Sequence, residues 1–232
     1  TVLSVASQTL SPEKILILDD SNNKKDLREE VKWQYLFMLI EKKGILWEVI
    51  FTDKHGQNKN HQISIDVSTT KYIWRRDDDL IFDNNVLSNL YKSLIENQAD
   101  AIGPRVITPN VNYPITDTSS EIQDIFNLPN IQMAFDGNGI HEVDHLHCSF
   151  LYDRTLGIRY HDSLSIVGHR EETIFSWRMK KAGHKLIVDL NIEVYHLKSP
   201  NGGIRSKEVT EQMFIDDENK FSIELDLITE LN

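Results

Sequence analysis

The chain has 232 residues, enough for one large domain or two small ones, and at 40% hydrophobic it can bury a sizeable core. Its 25 basic and 36 acidic side chains give a net charge of −11, which argues against non-specific binding to nucleic acid or to an anionic membrane surface. A single cysteine, Cys148, excludes an internal disulfide framework, and no run of about 18 apolar residues is present to span a membrane.

Val2, Val5 and Ala6 share a helical face, and Pro12 marks a turn. Lys14 to Leu18, KILIL, is an unbroken apolar run of the kind buried on both faces of a parallel sheet. It ends in Asp19-Asp20-Ser21-Asn22, at the carboxyl end of a strand, where open α/β sheets bind ligands. The same residues are also good helix caps. Asp26 to Lys43 reads as a helix with Leu27, Val31, Tyr35 and Met38 on one face, stopped by Gly44. Ile45 to Phe51 is a second strand, Asp53 to Asn60 a polar loop, and Ile65 to Tyr72 a helix leading into the next strand.

The central stretch is YIWRRDDDL, Tyr72 to Leu80: a short strand, two arginines and three consecutive aspartates. Asp77, Asp78 and Asp79 repel one another. A hard divalent cation relieves that better than Arg75 and Arg76 alone; a solvated acidic turn is the simpler alternative. Phe82, Val86, Leu90 and Leu94 recur every four residues as an amphipathic helix, and Ala101 to Ile107 is a further strand. Strand–helix alternation to this point implies a doubly wound, mostly parallel α/β sheet with flanking helices.

From Pro104 to Ile140 the pattern dissolves, with four of the six prolines, as an excursion shaping an acceptor pocket or an oligomer contact. Glu142 to Tyr152 alternates as a strand, with Leu146, Cys148 and Phe150 on one side and His145 and His147 on the other. Two histidines at that spacing could bind a metal, and more often line a pocket. Glu171 and Glu172 open a helix, Thr173 to Lys181, closed by Gly183, where acids complement the helix dipole. Lys185 to Val188 and Ile192 to Tyr195 are strands, followed by His196. The tail from Ser206 is acidic and partly amphipathic, suited to packing on the domain or on a second subunit.

Four separated segments resemble, in order, the family-2 glycosyltransferases of the GT-A fold: SVASQTLSPEKILILDDSNN from Ser4 to Asn23, YIWRRDDDLIFDNNVL, GHREETIFSWRMKKAGHKL, and EVYHL. They cover about half of the chain. The resemblance implies one compact domain, with residues 1–107 forming a nucleotide-sugar half, 108–205 an acceptor-side half and 206–232 a tail. A smaller subregion would lie on the acceptor side.

It implies that Asp20 reads the nucleotide base with Asp19 beside it. Asp77 and Asp79 match the family's D-x-D motif, with Asp79 the direct metal ligand, Asp77 near the ribose or a metal-bound water, and Asp78 the variable middle position. His196 matches a histidine that completes the metal site. Glu172 occupies the position of the family's catalytic aspartate and Glu171 that of its glutamate. His147 and Cys148, with Trp177, would line the donor or acceptor pocket. Trp74 is a second tryptophan near the motifs.

The implied chemistry is transfer, with inversion, of a hexosyl or N-acetylhexosaminyl group from a nucleotide-diphosphate sugar, a UDP-sugar favoured, to a glycan, glycolipid or other hydroxyl acceptor. Mn2+ or Mg2+ is the implied cofactor, a homo-oligomer a possible assembly, and a cytoplasmic or membrane-peripheral setting the expectation. Arg75, Arg76 and Arg205 are candidates for phosphate contact, with structural use of the first two at the strand end the stronger reading.

The chain departs from the family in four ways, one being that the strand which carries a glycine and small residues near the donor sugar reads His147-Cys148-Ser149 here, implying a donor pocket of different shape. The first strand is absent before Thr1, so the natural protein is expected to carry it. The loop motif before the third helix appears only as Asn58-Lys59-Asn60. The catalytic aspartate is a glutamate. Two alternatives stand beside the transferase reading: a sugar nucleotidyltransferase, and a non-catalytic nucleotide-sugar-binding module.

Overall fold

A computed structural model describes residues 1–21, 26–107, 138–197 and 208–229. Residues 108–137, most of the proline-rich excursion, lie outside them, as does Arg205. The elements run α1 (Val2–Ala6), β1 (Lys14–Asp19), α2 (Val31–Lys42), β2 (Leu46–Phe51), α3 (Gly56–Val67), β3 (Tyr72–Arg76), β4 (Leu80–Phe82), α4 (Val86–Glu96), β5 (Ala101–Ile107), β6 (Ile140–Glu142), β7 (Ser149–Asp153), α5 (Glu171–Lys181), β8 (Leu186–His196) and α6 (Glu211–Thr229).

The strands form a parallel pair, β1–β2, and a six-stranded sheet of order β3-β7-β5-β8-β4, with β6 also on β8. β5 and β8 are parallel, and the remaining pairings of the larger sheet are antiparallel. The architecture is α/β as expected. The sheet is mixed instead of mostly parallel, because β7 runs between β3 and β5 against both.

Period-two alternation sends side chains to opposite faces of the larger sheet. Phe150 and Tyr152 of β7 and Leu186 of β8 pack with Ile65 of α3 and Phe175 and Met179 of α5. Leu151, Ile102, Ile187 and Val194 pack on the other face with Leu87, Leu90 and Leu94 of α4. Val86, Leu90 and Leu94 are borne out as a buried face of α4, whereas Phe82, also buried, closes β4 and is not part of the helix. Buried Gln8 ties α1 to α4: its Nε2 donates to the Asp83 carbonyl and its Oε1 accepts the Leu87 N–H, a donor left over at the helix start.

Five local expectations change. The helix before β3 begins at Gly56, because Asp20 supplies a distant cap for its first N–H groups. The face Val31, Tyr35 and Met38 of α2 points outward, whereas Phe37 and Ile40 are buried and Trp33 and Leu36 pack on the core. A two-stranded sheet is narrow and offers α2 only one shoulder to pack on. The expected strand from Glu142 to Tyr152 divides into β6 and β7, leaving His145 and His147 on a connecting turn in which Cys148 has φ 35°. Conversely, the two strands expected near the end are one, β8, and β4 intervenes between the aspartates and α4.

Candidate active site

β3 ends at Arg76, so the three aspartates leave the sheet together. Their backbone is pinned: the Asp77 N–H donates to the Cys148 carbonyl at 2.9 Å and the Asp79 carbonyl accepts the Leu197 N–H at 2.9 Å. His196, at the end of β8, lies 3.1 Å from the Asp79 carboxylate through Nε2. Asp78 faces solvent, and its carbonyl accepts the Thr1 hydroxyl. Asp77, Asp79 and His196 offer ligand atoms within 4.8 Å of one another. Burial, against the opposing pull of Arg75, pushes the Asp77 carboxyl up to about 7, with Glu172 and Asp79 adding to the rise. A carboxylate in that position gains from a cation. Two hard oxygen donors and an imidazole fit a divalent ion of the Mn2+ or Mg2+ kind.

Behind the aspartates lies a buried guanidinium. Alternation along β3 sends Ile73 and Arg75 to the α3–α5 face, where Arg75 is only 3% exposed and lies over the Phe150 ring. Its Nη2 bonds Glu171, its Nη1 bonds Glu172, and the same Nη1 is 3.3 Å from Asp77. Its Nε donates to His61 Nε2 at 3.1 Å, so His61 carries its proton on Nδ1. Burial, then Arg75, holds His61 well below the ordinary imidazole range. Gln57 bridges Asp77 and Glu171 through Nε2, at 3.2 and 3.1 Å.

The two glutamates share one cation and divide in character. Burial pushes Glu171 well up despite Arg75, and repulsion from Glu172 and Asp77 adds to the rise. For Glu172 the burial penalty is overcome by Arg75 and His147, which hold it well below the usual carboxylate range. Glu172 Oε1 also accepts the Cys148 N–H at 2.6 Å, and its Oε2 is 2.9 Å from His147 Nδ1. Cys148 and Arg170, both non-glycine residues with positive φ, lie on the two segments that meet at Glu172. Such backbone is held only where its surroundings impose it.

Asp19 and Asp20 line the same open cleft of about 1990 Å³ as Asp77, Asp78, Asp79, Glu171, Glu172, His147 and His196. Asp20 has a structural task there. Its Oδ1 accepts the Thr52 hydroxyl and the His55 N–H, each at 2.9 Å, and its Oδ2 accepts the Gly56 N–H at 2.8 Å. Among the described residues, the Asp19 side chain accepts one local bond of this kind, from the Ser21 N–H.

Not every expected pocket residue reaches the cleft. The Cys148 side chain is buried in the core and burial pushes its thiol well up, so it is no nucleophile. Trp177 is five residues beyond Glu172, about 140° round the helix, and falls outside the cleft lining. Trp74 packs edge-on to Phe82 and donates to Ser149 Oγ at 3.0 Å, a core role on the wall of the cleft. At the strand end Arg75 is buried and Arg76 half-buried, both on the cleft wall, with Arg76 over the Trp74 ring. Sequence reasoning missed Gln57 and His61, which are unreadable without the start of α3. Arg75 carried a usable signal: it alternates with Ile73 inside a buried strand, so it needs buried acids opposite.

The family model for glycosyl transferase family 2 matches residues 1–156. The chain belongs to glycosyl transferase family 2. Solved structures with the same GT-A fold include GalNAc-T7 with UDP, GalNAc and Mn2+, at TM-score 0.64 and 17% identity over 94% of this chain and 44% of that one. TarS 1–349 of S. aureus in complex with UDP-GlcNAc aligns at TM-score 0.65 and 13% identity, over 95% of this chain and 60% of that one. The same TarS fragment alone gives TM-score 0.62 at 15% identity, over 95% and 59%. This family-2 chain thus spans about half of each neighbour's length. No curated protein sequence matches it. No helix among its described residues is long and apolar enough to cross a membrane.

Proposed function

We propose that this family-2 domain transfers a sugar from a nucleoside-diphosphate donor to an acceptor hydroxyl, with inversion and with a divalent cation held by Asp77, Asp79 and His196. The observation that carries the reading is the meeting of those three ligands with Asp19 and the two glutamates in one cleft. A bound cation would neutralise charge on the leaving diphosphate, which reconciles a chain of net charge −11 with an anionic donor. Asp19 is the acid best placed to meet the nucleoside, because Asp20 is occupied as a cap. The acceptor loses its proton on the side of Glu172, the glutamate that Arg75 and His147 hold below the usual carboxylate range. UDP-sugars are the favoured donors, since the neighbouring structures hold UDP and UDP-GlcNAc.

Calorimetry with UDP and GDP, with and without Mn2+, tests the reading. Binding that appears only with the metal supports it, and absence of metal-dependent nucleotide binding overturns it. One observation favours a non-catalytic binding module: Arg75 bonds the glutamate that stands in the aspartate's place. Release of UDP from a UDP-sugar decides between the two.

A further inference from the structure

We propose that the acceptor-side proton is taken by His147, and that Glu172 and Arg75 are positioning residues behind it. The inference deepens the transferase reading and rests on it.

Glu172 is poorly placed to take a proton itself. Its Oε1 is closed off by the Arg75 guanidinium and by the Cys148 N–H. Its Oε2 is engaged by His147 Nδ1 at 2.9 Å. Its side chain is 14% exposed, against 36% for His147, which lines the cleft. An ionised carboxylate only accepts hydrogen bonds, so the proton between them belongs to His147 Nδ1. In the neutral imidazole that leaves the lone pair on Nε2, and among the described residues no hydrogen bond to Nε2 is formed.

The elements impose the arrangement. β3 delivers Arg75 from below, the first turn of α5 delivers Glu172, and the turn before β7 swings His147 over the carboxylate while its next residue, Cys148, takes φ 35° to aim its N–H at the same group. A carboxylate fixing an imidazole whose other nitrogen faces a substrate is a recurrent proton-accepting device.

The step balances. The acceptor O–H gives its proton to Nε2. The freed oxygen pair forms the bond to the anomeric carbon. The bond from that carbon to the diphosphate oxygen breaks, and its electron pair leaves with the nucleoside diphosphate.

The test uses UDP release from UDP-N-acetylglucosamine and UDP-glucose with Mn2+, and UDP affinity by calorimetry on the same samples. His147→Ala is expected to lower kcat by about 10²-fold or more, with UDP affinity within two-fold of the parent. Free imidazole is expected to restore at least ten-fold of the loss, a response that a merely structural role would not produce. His147→Gln, closer in size, is expected to show the same loss. Glu172→Gln is expected to lower kcat with little change in donor KM and no response to imidazole. Full turnover in His147→Ala overturns the inference and leaves the transferase reading standing. So does a matching loss of Mn2+-dependent UDP affinity, which would make His147 a metal ligand. A parent chain that binds UDP with Mn2+ but releases none from either donor overturns both.

Discussion

Asp78 and Asp79 are adjacent in the chain and differ in surroundings. Asp79 meets His196 at 3.1 Å inside the cleft, whereas Asp78 is exposed. Asp79→Ala is expected to abolish Mn2+-dependent UDP binding in calorimetry, and Asp78→Ala to change it only a few-fold. Arg75 is the residue on which most charge depends, with three carboxylates around one buried guanidinium. Removing one partner of a buried ion pair leaves charge uncompensated, so Arg75→Met is expected to cost about 3–5 kcal/mol in urea unfolding. His145 gives a pH dependence. Burial brings its imidazole down to about 3, against the pull of Glu172. Between pH 3 and 6.5 the unfolded chain therefore holds a proton on His145 that the folded chain lacks. Its contribution to stability is complete above about pH 6.5 and is lost as pH falls from there, at about 1.4 kcal/mol per pH unit. Denaturation measured between pH 7.5 and 5.5 is expected to lose that part of its slope in His145→Asn.

At the scale of elements, α3 and α5 carry the site and each is anchored from afar. Asp20 caps α3 from the end of β1. Asp20→Ala is expected to lower stability by about 1 kcal/mol, the ordinary worth of a cap, and to cost less nucleotide affinity than Asp19→Ala. The close approach behind α3 needs a glycine: Gly56 has φ +78°, and a Cβ there would lie 2.4 Å from the Ile166 carbonyl oxygen. The segment before α5 is held by α6. Buried Asp217 accepts the Ser165 N–H and hydroxyl, each at 2.7 Å, and the His169 N–H at 3.0 Å. The tail was legible as amphipathic, and its hydrophobic contact is made by Phe221 with Leu164 and Ile174. That it steadies the segment leading to the glutamates was not legible, because the bonds join residues about fifty apart to backbone donors that no composition reveals.

Across the whole molecule, the cleft separates two sheets. β1 pairs only with β2, and β3 only with β7, among the described residues. Their other edges border the same cleft, β1 through Lys14 to Asp19 and β3 through Tyr72 to Arg76. Edge groups without partners are less protected than a central ladder. Hydrogen exchange is expected to be faster in β1 than in β5 and β8, which are paired along both sides. The half-buried pattern of β1 has the same cause: KILIL reads as a strand enclosed on both faces, yet among the described residues its sheet has only two members.

The sequence by itself determined the chain-local facts. These are the alternation of strands and helices as far as β5, apart from β4, the three aspartates at the end of a strand, two glutamates at the start of a helix, and a histidine closing the last strand. Each follows from periodicity and end chemistry within about ten residues. Tertiary structure alone decided the partners. It turned Val31, Tyr35 and Met38 of α2 outward, gave Asp20 to the N-terminus of α3, and closed Glu172 between Arg75, 97 residues away, and His147. Periodicity states which face of an element is apolar. Which charges share a buried space depends on how the faces are brought together, and there desolvation leaves each carboxylate only the partners within reach.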